Sequence, residues 1–176
     1  MKCLGQMGCG IVAVYNVLHY FSKKVKFNKL ISQLRNTPPS LGNMIFVDGL
    51  ISFANWLYNR DGRAGLSVLS IITFLKAKFF FVSYSFLITN LWGFRADLSK
   101  ACIVAYLRKD RRGHYVAGIN YGGRDGGYFR FYNSVTKDIN DAKDKKMSIV
   151  NYVKALKKTG ATPLFFVSVN GKKGWW

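Results

Sequence analysis

The stretch GCGIVAVYNVLHYF, residues 8–21, decides what kind of fold this sequence can adopt. After the Gly-Cys-Gly turn, apolar residues run almost without interruption from Ile11 to Phe21, so a helix there would be buried on nearly all sides. Such a helix must pack against other elements to cover its apolar surface. We therefore predict a central helix that begins at Cys9.

The rest of the chain predicts further helices first and antiparallel strands afterwards. Hydrophobic spacing indicates helices at 27–34, 47–58, 68–75 and 148–157, and strands at 79–82, 101–107, 114–121, 128–132 and 163–169. Turn signals at 109–113 and 122–127 predict two hairpins in series. The predicted fold class is α+β, with N-terminal helices packed on a C-terminal antiparallel sheet, and the tail 171–176 is expected to be loose.

Length and charge set limits on the function. A chain of 176 residues suits one hydrophobic core, so we predict a single domain over residues 1–176. The 27 Lys and Arg residues against 8 Asp and Glu residues give a net charge of +19. This charge would attract nucleic acid, an anionic membrane or an acidic peptide alike. The basic residues are scattered and form no nucleic-acid reading motif, so nucleic acid is not favoured as a partner.

Cysteine usage and apolar segments predict a cytoplasmic protein. Three cysteines are too few for a disulfide scaffold, and a reducing compartment suits them. No signal peptide precedes the Gly-Cys-Gly turn. The uncharged stretch 79–94 is shorter than the ~20 residues of a spanning helix, so we predict no transmembrane segment. Contact with a membrane surface stays open, because Lys76, Lys78 and Arg95 flank this stretch.

A nucleophile and a base can be named from the residues. A cysteine at a helix N-terminus has its thiolate favoured, and the N–H of Cys9 could face a developing oxyanion. His19 lies ten residues further along the same helix, about 15 Å away and out of reach. His114, at the start of a strand, is therefore the candidate base. Asn133 ends the next strand and could orient the imidazole.

Each of these residues also has a structural interpretation. Most free cysteines are small buried hydrophobic residues, which Cys9 could be. His114 could be a lone strand histidine, and Asn133 could be a turn residue. The order Cys, His, Asn along the chain favours the catalytic interpretation.

Two motifs carry a resemblance to a known family. The stretch 8–21 resembles the nucleophile helix of the bacteriocin-processing, double-glycine-leader cysteine peptidases, and HYVAGINY at 114–121 with DGGYFRFYNS at 125–134 is similar to their His strand and the strand end that follows. Order and spacing agree over residues 9–133, while residues 36–100 match only in coarse layout. The resemblance implies a papain-like, stand-alone domain that cleaves peptide bonds, often after a small residue, and that needs no cofactor or metal.

The resemblance also implies a role for each site residue. Cys9 would be the nucleophile, His114 the base, Asn133 the orienting residue and Gln6 part of the oxyanion hole. The sequence departs from the family at two places. Asn133-Ser134 stands where Asp-Pro is usual. Gln6 is only three residues before Cys9, whereas the oxyanion-hole glutamine of the family precedes the cysteine by about as many residues as two helical turns contain. Either Gln6 reaches the site through a tighter loop, or Cys3 occupies the place of the glutamine and the oxyanion hole is incomplete. An incomplete hole would cost on the order of a hundredfold or more in rate.

Three functional hypotheses follow. The first is a cysteine peptidase, or a closely related acyl-transferring enzyme, that works through an acyl-enzyme. Its substrates would be peptides, and acidic peptides and leader peptides are the candidates. The second is a catalytically weak or inactive papain-like domain that binds peptide. The third is a basic module for nucleic acid or an anionic surface.

Overall fold

The computed structural model describes residues 4–37, 68–78, 80–86, 99–109, 113–122, 127–132 and 147–172. In chain order the elements are helices α1 (Leu4–Tyr20), α2 (Phe27–Arg35) and α3 (Val68–Ala77), strands β1 (Phe80–Phe86), β2 (Ala101–Leu107), β3 (Gly113–Asn120) and β4 (Phe129–Tyr132), helix α4 (Ile149–Lys158) and strand β5 (Thr162–Lys172). The predicted α+β class is confirmed. The helix predicted at 47–58 lies outside the described residues.

Within the described ranges the strands form one antiparallel sheet in the order β1-β5-β2-β3-β4. Strands β2, β3 and β4 are joined as two hairpins in series, as the turn signals predicted. The last strand, β5, lies between β1 and β2. It is longer than predicted and includes Gly171 and Lys172, so the prediction of a loose tail is wrong for these two residues.

The two faces of the sheet pack against different helices. Helices α1, α2 and α3 cover one face, which we call the α1 face. Ala117 and Ile119 of β3 belong to the core between these helices and the sheet. Helix α4 covers the opposite face, which we call the α4 face. Val116 of β3 belongs to the core between α4 and the sheet. Since successive side chains of a strand point to opposite faces, β3 contributes alternate residues to two separate cores.

Gly118 allows the α4-face core to close. A Cβ atom at Gly118 would lie 2.6 Å from the Sγ of Cys102 and 2.9 Å from a ring carbon of Phe131. Phe131 in turn stacks on Tyr152 of α4, with ring centroids 3.7 Å apart. Only a glycine at this strand position lets β2, β4 and α4 pack together so closely.

Gly118→Ala should therefore destabilise the protein by about 1–3 kcal/mol, because the added methyl group overpacks a filled core. Urea unfolding followed by circular dichroism measures this change. Adding Cys102→Ala should recover part of the loss, since it removes the nearest atom. The matched control is Gly113→Ala in the same strand, where a Cβ would meet nothing within 4 Å. Equal losses for Gly118→Ala and Gly113→Ala would contradict this packing.

Candidate functional site

Cys9 lies inside helix α1. The helix begins at Leu4, so Cys9 is in its second turn, and the prediction that Cys9 begins the helix is wrong. In a regular helix the N–H at this position donates to the carbonyl four residues earlier. The effect of the helix dipole is concentrated in the first turn. The two helix-terminus arguments for an activated Cys9 therefore do not apply.

The surroundings of the Cys9 thiol leave it partly open. Cys9 is half-buried, and the space beside the neighbouring Gly8 is empty. Across from it, on the α1 face, lies Tyr115 of β3. Burial raises the pKa of Tyr115, and the nearby Cys9 raises it further through its charge. The phenol beside Cys9 is therefore neutral at physiological pH.

His114 lies on the other side of the sheet. It is 8% exposed, its register partner on β2 is Tyr106, and the centroids of the two rings are 5.3 Å apart. Tyr106 belongs to the α4-face core, and His114 has the same strand parity as Val116 of that core. The structure therefore places His114 on the α4 face and Cys9 on the α1 face, and it does not bring the two together.

The remaining predicted residues add little to the site. Gln6 lies on α1 one turn before Cys9, and its role in an oxyanion hole stays a prediction. Asn133 follows β4 and lies outside the described residues, so its role also stays a prediction. His19 is exposed in the last turn of α1, with its ring 6.2 Å from that of Tyr15, which agrees with a histidine at the edge of the core.

Three residues that the sequence analysis did not single out lie on the α1 face. Arg130 and Tyr132 of β4 are in register with Ile119 and Ala117, both members of the α1-face core. The hydroxyl groups of Tyr121 and Tyr132 form a hydrogen bond of 2.9 Å. The alternation in FRFY, residues 129–132, was the available signal, since it separates two buried phenylalanines from Arg130 and Tyr132.

All charged side chains of the described residues are positive. All acidic residues of the protein lie outside the described ranges: Asp48, Asp61, Asp97, Asp110, Asp125, Asp138, Asp141 and Asp144. Exposed lysines are present on both faces, for example Lys29 of α2 and Lys154 of α4. The net charge of +19 favours an anionic ligand over a cationic one.

Comparison with known proteins gives no family for this chain: no family model matches it, and no curated protein matches it. Among the described helices, none is long and apolar enough to cross a membrane. Within the same ranges, no group of three or more His, Cys, Asp or Glu residues could hold a metal ion.

The two described cysteines should differ sharply in reactivity. Cys102 is fully buried, and burial raises the pKa of its thiol, with a smaller opposing effect from the backbone at Gly118. In a Cys3→Ser background, iodoacetamide at pH 7 should modify Cys9 in the folded protein and Cys102 only after unfolding. Peptide mass spectrometry measures both sites. Equal modification of Cys102 in the folded protein would contradict its position in the core.

Proposed function

We propose that this protein is a domain that binds an acidic peptide or protein segment at the β4 edge of the α1 face, where Arg130 is exposed, and does so without a Cys9–His114 catalytic pair. The observation that carries the proposal is the position of His114, whose ring lies against Tyr106 on the α4 face. A thiol without a base in reach is a poor nucleophile for peptide bonds. Among the three hypotheses from the sequence, the peptide-binding one therefore has the best support.

Residues of β3 and β4 on the α1 face suit a peptide ligand. Tyr115 and Tyr132 are partly buried against the α1-face core, and Arg130 is exposed beside them. Tyrosine and arginine are the side chains most enriched at protein interfaces, since they combine a large apolar area with polar ends. The net charge of +19 favours a negatively charged ligand. A papain-like arrangement, with α1 packed on an antiparallel sheet, is part of this proposal.

Peptide cleavage by Cys9, His114 and Asn133 is the second candidate. The half-buried thiol and the empty space beside Gly8 favour it, because a substrate carbonyl could approach there. In this reaction Cys9 Sγ attacks the carbonyl carbon, His114 carries the thiol proton to the leaving amine, and water hydrolyses the thioester. For this reaction His114 would have to leave Tyr106 and reach the α1 face. In the cell, this cleavage would serve to process leader peptides.

Binding and cleavage can be separated with two assays. Fluorescence anisotropy with a fluorescein-labelled Asp-Gly repeat peptide should show tighter binding than with the matching Asn-Gly peptide. The preference should weaken as salt is added, since surface attraction is screened over about 10 Å at 0.1 M. A mixture of synthetic peptides analysed by mass spectrometry should remain uncleaved. The variant Cys9→Ser, which changes one atom, should keep the affinity for the Asp-Gly peptide.

Two results would overturn the proposal. Equal affinity for the Asp-Gly and Asn-Gly peptides would show that the protein does not prefer an acidic ligand. Cleavage of defined bonds that is lost in both Cys9→Ser and His114→Gln, with the fold of each variant intact by circular dichroism, would establish the peptidase instead.

A further inference from the structure

The large hydrophobic side chains that are exposed among the described residues all lie at one end of the sheet. They are Tyr20, Phe81, Tyr121, Tyr128 and Val150. This is the end at which β1, β2 and β4 begin and β3 and β5 end, and we call it the aromatic end. Single exposed apolar residues are ordinary on a protein surface, but a group of them marks an interaction surface.

The strands position three of these side chains. Phe81 is the second residue of β1, whose first residue, Phe80, pairs with Lys172 at the end of β5. Tyr121 follows β3, and its N–H donates to the carbonyl of Tyr128, just before β4, at 2.9 Å. Phe81 is 49% exposed and Tyr128 is 56% exposed. Four strand spacings of about 4.8 Å separate β1 from β4, so the exposed rings are spread over roughly 20 Å.

The helices bring the other two side chains to the same end. Helix α1 ends at Tyr20, and the next residue, Phe21, lies against Gly171 of β5, where a Cβ atom would be 3.5 Å from a ring carbon of Phe21. On the other side of the sheet, Val150 is in the first turn of α4. The backbone of Met147, just before α4, makes two hydrogen bonds of 2.9 and 3.1 Å to the first residue of β4. Residues on both sides of the sheet therefore contribute to the aromatic end.

Exposed lysines lie among these hydrophobic side chains. Lys24 and Lys26 are in the turn between α1 and α2, Lys29 is in the first turn of α2, and Lys100 directly precedes β2. In the sequence, residues 20–29 contain four lysines and no acidic residue. The net charge of +19 already includes every acidic residue of the chain. The aromatic end therefore combines positive charge with exposed rings.

This combination suits the surface of an anionic lipid bilayer. Aromatic rings are favoured at the depth of the lipid headgroups, and a lysine can lay its methylene groups along apolar surface while its ammonium group meets a phosphate. A bilayer is also flat on the scale of a protein domain. It can contact side chains that are spread over roughly 20 Å and come from both sides of the sheet, whereas a small ligand needs them gathered in one concave pocket.

We propose that the aromatic end is a docking surface for an anionic lipid bilayer. Tyr20 and Phe81 enter the headgroup region, and Lys24, Lys26 and Lys100 contact the lipid phosphates. The protein then lies on the bilayer with one end of its sheet facing the lipid. This inference goes beyond the proposed function and does not depend on it, since Phe81 lies four strands away from the β4 edge.

The charge part of the proposal is tested by co-sedimentation with vesicles. The wild-type protein should bind vesicles of equal parts phosphatidylcholine and phosphatidylglycerol more tightly than vesicles of phosphatidylcholine alone. Lys24→Gln combined with Lys100→Gln should weaken this binding about tenfold, since each lysine near an anionic surface adds to the attraction.

The matched control removes two charges from the opposite end of the sheet. Lys157 and Lys158 are exposed at the end of α4, and Gly160, which follows them, lies next to Lys109 beyond the far end of β2. The length of β2 is about 24 Å, well over the screening distance of about 10 Å at 0.1 M salt. Lys157→Gln combined with Lys158→Gln should therefore change binding less than about twofold.

The aromatic part is tested with Phe81→Ser and Tyr20→Ser. Phe81→Ser should weaken binding to the mixed vesicles about tenfold, because a ring that enters the headgroup region is lost. The factor should be the same at low and high salt, since an apolar contact is not screened. Tyr20→Ser should act in the same direction. Circular dichroism checks that each variant is folded, and Phe81→Ser should keep its affinity for the Asp-Gly peptide.

Several results would overturn the inference. Equal losses in the two lysine pairs would show that charge acts without an oriented surface, and full binding by Phe81→Ser would show that its ring does not enter the lipid. A dimer that Phe81→Ser converts to a monomer, measured by light scattering, would assign the aromatic end to a second copy of the chain. A thymidine oligonucleotide that displaces the protein from the vesicles, and whose binding needs Lys24 and Lys100 but not Phe81, would assign it to nucleic acid.

Discussion

The alternation of side chains along β3 is the constraint on which the rest of the structure depends. This strand is packed on both faces. Ala117 and Ile119 lie against the helices of the α1 face, and Val116 and Gly118 lie in the core of the α4 face. A shift of one residue would exchange the two sets. It would bring the side chain of Ala117 against Phe131 in the space that only a glycine fits. The α4-face core therefore fixes the register, and the register fixes the face on which His114 lies.

Much of the fold could be predicted from the sequence, because periodicity and turn residues act locally. The boundaries of β2 were predicted to the residue, and both hairpins were identified from their glycine-rich and charged turns. The start of α1 was missed because Gly5 and Gly8 have low helix propensity, and packing of the helix against the sheet overrides it. The position of β5 between β1 and β2 depends on long-range pairing that no local pattern reveals.

The arrangement of the site could be predicted only in part. In HYVAGIN, residues 114–120, apolar residues occupy both parities, so the sequence does not reveal which set faces α1. The chain order Cys, His, Asn suggested a triad, but order along the chain does not determine the face of a sheet. The FRFY strand is more informative, since Phe129 and Phe131 are buried while Arg130 is exposed and Tyr132 is half-buried. Its pattern could have identified the polar side of β4.

The central claim is that Cys9 and His114 lie on opposite faces of the sheet, so that the two side chains do not form a catalytic pair. Nuclear Overhauser effects from the ring protons of His114, in protein labelled selectively at histidine, measure this most directly. The account predicts cross-peaks from the His114 ring to the Tyr106 ring and none to the β-protons of Cys9. Cross-peaks from the His114 ring to the Cys9 β-protons, with those to Tyr106 missing, would contradict it.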